Sequence, residues 1–281
     1  MNNEKFLKTM LDFTQEAGVV ALSLINTIQP ELKKDHSIVT EADKSISALA
    51  RQKLSALLKS PDHIMIDEED PASNRYLNQS LLNKVPYIWS VDPIDGTRSF
   101  ANQMPLYGIS IGLIKNLKPW LGVLYLPSLK ELFFCDGENA YFVENAFTRH
   151  EKKITIVPNH EELSHNSIFF CSETIINEFA WDTKDCHVMM PACAVIDLGW
   201  PTIGRGVGCI LRSYLWDFAG AWPIFQAAGL KFRSITSGRA MEALDATLFN
   251  QTNAPWKMLE YHILSSEENF PLLKERLKVK D

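Results

Sequence analysis

Residues 89–97 read W-S-V-D-P-I-D-G-T, and they show how this chain places acids at the end of a strand. The apolar run from Tyr87 to Val91 predicts a strand that ends at Asp92. An earlier run, His63 to Ile66, predicts a second strand, and it leads directly into the acids Asp67–Asp70. Because ligand sites gather at the loops beside a sheet, acids that follow two strands indicate a binding site.

The turn after the strand carries residues that suit a phosphate. Pro93 stiffens the backbone between two carboxylates, and Gly96 lets the main chain approach a ligand closely. A helical turn beginning at Gly96-Thr97 would direct free N–H groups at phosphate oxygens, and Thr97 adds a hydroxyl. The alternative is an Asx-type turn, in which the acids satisfy only the local backbone.

Four acids from three separate segments are the candidate metal ligands: Glu68, Asp92, Asp95 and Asp217. Several carboxylates that converge on one point repel each other unless cations lie between them. Mg²⁺ prefers oxygen ligands and keeps several waters, which suits an acid-rich site without His or Cys. The residues therefore favour a Mg²⁺ site.

The remaining patterns predict helices around a sheet. Apolar residues spaced by three and four from Phe6 to Ile28 predict a first helix, and Thr40 is placed to cap a second. The region from Tyr107 to Phe142 predicts an antiparallel meander. One long helix is predicted from Trp216 to Ala228, and helical periodicity returns in Trp256–Leu264.

The chain has no repeat and no Pro/Gly/Ser-rich linker. We predict one unit over residues 1–281. Its halves are an α+β half at 1–150, which carries most candidate metal ligands, and an α/β half at 151–281, which carries Asp217.

Composition excludes some partners. With 28 Lys and Arg against 34 Asp and Glu the net charge is −6, so nucleic acid and anionic membranes are not expected to bind. No apolar stretch reaches the length of a membrane span. The five cysteines are widely spaced without a C-x-x-C pair, which suits a reducing compartment. We expect a cytoplasmic protein.

Five segments together resemble the inositol monophosphatase family, whose members are Mg²⁺-dependent, lithium-sensitive phosphatases of sugars, polyols and nucleotides. The two signature motifs of that family are similar to W-S-V-D-P-I-D-G-T-R-S-F and W-D-F-A-G-A. Shorter matches are V-T-E-A-D, the pair of glutamates and L-F-N, so the resemblance covers nearly the whole chain. The segments are residues 89–100, 216–221, 39–43, 68–69 and 248–250.

The resemblance implies an α+β fold with α-β-α-β-α layers, a mostly antiparallel N-terminal sheet and a second, smaller mixed sheet. It also implies a homodimer with two or three Mg²⁺ per active site. The implied reaction is hydrolysis of a phosphomonoester by water that the metal activates. The expected substrate is a small phosphorylated polyol, sugar or related metabolite, similar to inositol 1-phosphate or histidinol phosphate. A 3′(2′),5′-bisphosphate nucleotidase is the alternative within the family.

The resemblance also implies roles for individual residues. Asp43 would hydrogen-bond Thr97, and Glu68 with Thr97 would orient the water. Phosphate would contact Asp95, Gly96 and Thr97. The implied metal ligands are Glu68, Asp92, the Ile94 carbonyl, Asp95 and Asp217.

Two departures from the family pattern concern the substrate. The family usually has Gly where this chain has Asp67, and Asp70 follows, which together predict a more acidic site mouth. Seven positions before Asp217, where the namesake enzymes have an acid that contacts inositol, this chain has Ile210. Arg212 and Tyr214 are better placed to contact the leaving group, although a surface ion pair would also explain Arg212.

Two other classes of function compete with this interpretation. Gly108-Ile109-Ser110-Ile111-Gly112 fits the nucleophile elbow of a serine hydrolase, and Asp245 and His262 follow in the expected order. An elbow requires a sharp strand-to-helix turn, however, and Ser110 lies in a predicted extended strand. A non-catalytic binding module is the third possibility, but it would not require the complete set of acids and Thr97.

Overall fold

The computed structural model describes residues 3–27, 30–32, 38–158, 162–172, 174–182 and 186–280. The first half contains helices α1 (Asn3–Leu24), α2 (Glu41–Leu54), α3 (Gln79–Leu82) and α4 (Thr97–Ala101). Its strands are β1 (Glu31–Leu32), β2 (Ile38–Val39), β3 (His63–Asp67), β4 (Tyr87–Asp95), β5 (Gly108–Lys115), β6 (Lys118–Leu126), β7 (Glu131–Cys135), β8 (Ala140–Glu144) and β9 (Lys152–Ile156).

The second half begins with β10 (Ile168–Cys171). Its helices are α5 (Ile175–Glu178), α6 (Ala194–Gly199), α7 (Leu215–Ala219), α8 (Trp222–Ala227) and α9 (Asn269–Arg276). The other strands are β11 (Phe179–Trp181), β12 (His187–Met189), β13 (Gly208–Leu211), β14 (Lys231–Ser234), β15 (His262–Ser265) and β16 (Leu277–Val279).

The large sheet has the order β3-β4-β5-β6-β7-β8-β9. Only β3 and β4 pair in parallel, and each later pair is antiparallel, so the predicted, mostly antiparallel sheet and its meander are confirmed. Helices α1 and α2 bury their apolar residues on one face, where Phe13 and Ile46 join the cluster that contains Trp89. The predicted first helix ends at Leu24, followed by the 3₁₀ turn Ile25–Thr27, and Ile28 lies outside the described residues.

The second sheet has the order β12-β10-β13-β15-β14 and is mixed, as predicted. Strands β12, β10 and β13 are parallel, whereas β13, β15 and β14 are antiparallel. Between the two sheets lies a hydrophobic cluster to which α6, α7 and α8 contribute, for example Phe218 and Trp222. The outer face of the second sheet is covered by residues of α5 and α9, including Ile175 and Leu273. The layers are therefore α-β-α-β-α.

Two helix predictions are wrong. The predicted helix Trp216–Ala228 is divided into α7 and α8, because Pro223 lacks the N–H that would continue the hydrogen bonds of α7. The segment Trp256–Leu264 contains no described helix and leads into β15, whose residues are all buried. The sequence of a strand that is buried between two neighbouring strands is a continuous apolar run. Hydrophobic periodicity alone does not distinguish such a run from a buried helix.

Among the described residues, no helix is both long enough and apolar enough to cross a membrane.

Candidate active site

Three acids converge where β4 ends. Oxygen atoms of Asp92, Asp95 and Asp217 all lie within 4.8 Å of one another, and these three residues are called the acid cluster below. Asp92 is opposite Ser110 on β5 and Asp95 is opposite Gly108, so β4 carries one extra residue between the two acids. Residues three apart on a regular strand point to opposite faces, and this β-bulge turns the two aspartates towards one site.

Asp217 reaches the same point from the second half of the chain because backbone packs closely on backbone. A Cβ atom built on Gly112 of β5 would lie 2.5 Å from the carbonyl carbon of Ala219. Only glycine therefore permits α7 to lie this close to β5. Asp217, in the first turn of α7, accepts a 2.7 Å hydrogen bond from the Tyr214 N–H to its Oδ2.

The acid cluster is unfavourable as three charged carboxylates. Burial raises the pKa of Asp92 well above its ordinary value, and the charges of Glu68, Asp95 and Asp217 raise it further. Burial also raises the pKa of Asp95. Burial and the nearby Asp95 raise the pKa of Asp217 to about 7. A divalent cation would relieve both the repulsion and the lost hydration.

One oxygen of the acid cluster has no protein partner. Asp92 is buried, and its Oδ1 makes no hydrogen bond within the described structure. A buried carboxylate oxygen without a partner is costly unless it binds a cation. The donor set is all oxygen, which fits a hard divalent ion such as Mg²⁺.

Glu68 lies beside the acid cluster but is not one of the three mutually close acids. It follows β3, and its N–H donates to the Val91 carbonyl of β4 at 3.3 Å. Because β3 and β4 are parallel neighbours, the residues after each strand meet at one edge of the sheet. Glu68, Asp92, Ile94, Asp95 and Asp217 all line the same cavity.

The turn after β4 starts a helix, as predicted. Gly96 is the N-cap residue of α4, with φ of 79°. A Cβ atom there would lie 2.9 Å from the Leu106 carbonyl oxygen, so both conformation and space require glycine. The Asx-type alternative does not describe Asp95, because its Oδ2 accepts hydrogen bonds from distant residues, the Val195 N–H at 2.5 Å and the Cys193 thiol at 3.0 Å.

Thr97 connects this turn to α2. Its hydroxyl donates to the Ile94 carbonyl at 2.9 Å and lies 3.5 Å from Asp43 Oδ1. The other oxygen of Asp43 accepts from the Thr40 N–H at 2.7 Å and the Thr40 hydroxyl at 2.5 Å. This is the capping box of α2, and it fixes the Asp43 carboxylate towards Thr97.

The cavity has a volume of about 350 Å³. Arg212 and Tyr214, the two residues expected near a leaving group, line it together with Gly96 and Thr97. It is also lined by three residues that sequence reasoning missed: Cys193, Asp197 and Lys257. They lie outside the matched motifs, so no local pattern identifies them.

Asp197 is a further buried acid in this cavity, outside the acid cluster. It lies on α6, and its Oδ1 has no hydrogen-bond partner within the described structure. Burial and the Asp95 charge raise the pKa of Asp197 well above its ordinary value. Burial in this cavity therefore disfavours the charged form of Asp197.

The structure corrects one expectation about the departures from the family pattern. Asp67 does not line the cavity. Its side chain accepts from Ser47 at 2.5 Å and from the Glu69 N–H at 3.0 Å, so it organises the chain beneath the site instead of making the mouth more acidic. Ile210 is buried in the cluster on the outer side of the second sheet, and its neighbour Arg212 lines the cavity.

The serine-hydrolase alternative fails on geometry. Ser110 is fully buried in the middle of β5, and its hydroxyl donates to the Trp216 carbonyl at 3.3 Å. His262 lies in β15, where its Nδ1 is 3.2 Å from the Glu260 carbonyl oxygen. Ser110 is neither exposed at a sharp turn nor bonded to a base, as a nucleophile must be.

The chain is similar to known phosphatases. A model described as the inositol monophosphatase family matches residues 2–269. A histidinol-phosphatase of Chlorobaculum parvum is 34% identical over 50% of this chain. The chain spans about half of that relative, because the match covers 51% of its length. A 3′(2′),5′-bisphosphate nucleotidase CysQ of Buchnera aphidicola is 26% identical to this chain. The match covers 86% of this chain and 89% of the nucleotidase.

Solved structures show the same fold. An IMPase/NADP phosphatase complexed with NADP and Ca²⁺ matches with a TM-score of 0.74 at 21% identity. The match covers 98% of this chain and 95% of that one.

Proposed function

Because the chain belongs to the inositol monophosphatase family, we propose that it is a Mg²⁺-dependent phosphoric monoester hydrolase of a small phosphorylated metabolite. The observation that carries the proposal is the acid cluster. Its oxygens lie within 4.8 Å of one another and include an Asp92 oxygen that has no hydrogen-bond partner among the described residues. Such a cluster is stable only with protons or cations, and cations would also neutralise the oxygens of a bound phosphate.

The proposed metal ligands are those that the family resemblance implies, and together they would hold two or three Mg²⁺. When bound, Mg²⁺ supplies positive charge that neutralises phosphate oxygens and lowers the pKa of a bound water. The oxygen-only donor set supports the choice of metal. The ligands are Glu68, Asp92, the Ile94 carbonyl, Asp95 and Asp217.

Thr97, Asp43 and Glu68 would position the water. The single proton of the Thr97 hydroxyl goes either to Ile94 or to Asp43. If the Ile94 carbonyl binds a cation, Asp43 Oδ1 becomes the acceptor, because its other oxygen is held by Thr40. The lone pairs of Thr97 then face the water and accept its proton in a hydrogen bond, with Glu68 as a second acceptor.

Hydrolysis forms a P–O bond from water and breaks the P–O bond of the ester, and the alcohol leaves with one proton. The Gly96 and Thr97 N–H groups, at the turn that begins α4, would donate to the phosphate oxygens. Arg212 and Tyr214 would contact the alcohol part. An inositol-like or histidinol-like alcohol fits a cavity of about 350 Å³, and similarity to the CysQ nucleotidase keeps a bisphosphate nucleotide as the alternative.

Phosphate release from a panel of esters tests the proposal. The panel contains inositol 1-phosphate, histidinol phosphate and adenosine 3′,5′-bisphosphate, each assayed with Mg²⁺ and with excess chelator. We expect Mg²⁺-dependent release that Asp217→Asn abolishes. Release that survives the chelator would contradict the proposal, and tight Mg²⁺-dependent binding of esters without release would indicate a binding module.

Assembly and location are further parts of the proposal. We propose a cytoplasmic homodimer, with its two halves folding as one unit. The dimer rests on the family resemblance, and light scattering of the purified protein tests it.

The location rests on the five free, buried cysteines, which fit a reducing compartment. One cooperative transition in thermal unfolding would support a single folding unit, and two separate transitions would contradict it.

A further inference from the structure

One wall of the cavity is formed where two parallel strands end. Strands β10 and β13 pair with Cys171 opposite Ile210. The residues that follow them, including Ser172, Thr174 and Arg212, line the cavity and are called the leaving-group wall below. The carboxyl ends of parallel strands are where open α/β sheets bind ligands.

Arg212 is held in place within this wall. Its Nη2 donates to Glu178 Oε1 at 2.9 Å, and the Tyr261 hydroxyl donates to the same oxygen at 3.1 Å. The Arg212 guanidinium also lies 4.6 Å from the centre of the Tyr261 ring. Glu178 uses one of the five N–H donors of a planar guanidinium. An arginine fixed in this way is already oriented to bind a second oxyanion.

The aromatic residues of the cavity are not available for stacking. Tyr214 stacks on Trp216 with ring centres 4.7 Å apart and planes 8° apart, and the Lys257 ammonium lies 5.6 Å from the Tyr214 ring centre. Trp216 itself is buried. Of the two described rings that line the cavity, one is buried and the other is already engaged by a stacked ring and by a nearby ammonium. A nucleotide leaving group is therefore disfavoured.

The charges of the wall disfavour a cationic leaving group as well. The described acids that line the cavity are Glu68, the acid cluster and Asp197. The first four surround the proposed metals, and Asp197 is buried on α6 and is not part of the leaving-group wall. An ammonium on the leaving group would face the fixed guanidinium of Arg212, whereas an anion would gain a charge-assisted hydrogen bond.

From these observations we infer that the alcohol part of the substrate carries a second anionic group, a carboxylate or another phosphate, which Arg212 binds. This inference rests on the proposed phosphatase activity. It narrows the substrate to small aliphatic phosphomonoesters with an additional oxyanion. The substrate is accordingly supplied by a reaction that phosphorylates a hydroxy acid or a phosphorylated alcohol.

A set of alkyl phosphates tests this inference. The esters have several chain lengths and differ at the far end, which carries a hydroxyl, a carboxylate, a second phosphate or an ammonium. For at least one chain length we expect kcat/KM of an anionic ester to exceed that of the hydroxyl ester by about tenfold, and the ammonium ester to be the poorest. The carboxylate and phosphate esters distinguish the two kinds of oxyanion.

Variants separate Arg212 from the general charge of the cavity. Arg212→Gln should remove the anionic preference, so that the anionic and hydroxyl esters have similar kcat/KM values, and circular dichroism checks the fold of the variant. Arg212→Lys should retain part of the preference, since it keeps the charge but not the planar fork. Equal turnover of all esters, or a preference that survives Arg212→Gln, would overturn the inference alone. Failure to hydrolyse any ester would overturn the proposed function and the inference with it.

Discussion

The acid cluster and the leaving-group wall are two parts of one cavity, and the chain builds them differently. Two of the three clustered acids lie in a single nine-residue stretch, whose bulge and turn put them in place. The wall has no motif: Arg212 depends on the pairing of β10 with β13 and on a glutamate from α5. The acids of the common chemistry are thus recognisable from local motifs, whereas the residues of the leaving-group wall are brought together only by tertiary packing.

The largest effect should follow from a change within the acid cluster. We expect Asp92→Asn to lower kcat/KM by at least about 1000-fold for every ester, since residues that only support metal ligands already contribute 10- to 100-fold. Phosphate release measures this, and circular dichroism checks the fold. Ser110→Ala is the matched control: it removes a buried hydroxyl of the neighbouring strand and should retain nearly full activity. The reverse pattern would support the serine hydrolase.

The next largest effect should come from Thr97. Thr97→Ala removes the hydroxyl between Ile94 and Asp43 and should lower kcat by about 100-fold, the usual range for a group that accepts a proton from the attacking water. Thr97→Ser keeps the hydroxyl and should restore most of the activity. If alanine and serine behave alike in steady-state kinetics, the hydroxyl has no part in the reaction.

The stability of the metal-free protein should depend on pH through Asp217. The pKa of Asp217 is raised to about 7 in the folded protein, so the folded state binds this proton more tightly than the unfolded state does. The resulting contribution to stability is complete below the ordinary Asp pKa of about 4 and is lost as the pH rises through about 7.

In excess chelator, the Tm of the wild type should therefore decrease relative to the Tm of Asp217→Asn as the pH is raised from about 4 to about 8. The expected decrease is several degrees. Mg²⁺ should restore the Tm of the wild type at the higher pH. Thermal unfolding followed by fluorescence measures both changes. A difference between the two proteins that does not vary with pH would contradict the account.

The smallest effect should come from Glu178, which holds Arg212 in the leaving-group wall. Glu178→Gln keeps the Arg212 cation but removes its partner, and half-exposed ion pairs contribute at most about 1 kcal/mol. We expect KM for the anionic esters to rise by no more than about fivefold, with kcat unchanged. A large fall in kcat would show that Glu178 acts on the reaction and not on Arg212.

Sequence patterns predicted the local features well. The cap of α2, the strands β3 and β4 and the turn at Gly96 each follow from a few adjacent residues, and the structure contains all of them. The layered fold was available only through the family resemblance. Hydrophobic periodicity failed for Trp216–Ala228, although Pro223 within that segment was a local signal of a break.

The leaving-group wall was only partly predictable. Arg212 and Tyr214 were found because they precede the second motif, but nothing in the sequence pairs Arg212 with Glu178 or brings Lys257 to the same cavity. Register between strands that are distant in sequence decides these contacts. The bulge that turns Asp92 and Asp95 to one side is also a tertiary feature, since it is defined by the partner strand β5.

Binding of Mn²⁺, a paramagnetic substitute for Mg²⁺ at carboxylate sites, tests the central claim most directly. Titrations followed by electron paramagnetic resonance would compare the wild type with Asp92→Asn, Asp217→Asn and Arg212→Gln. The account predicts that both aspartate variants lose the tightest Mn²⁺ binding and that Arg212→Gln binds as the wild type does. Unchanged binding by Asp217→Asn would contradict it, because the two halves of the chain would then not share one metal site.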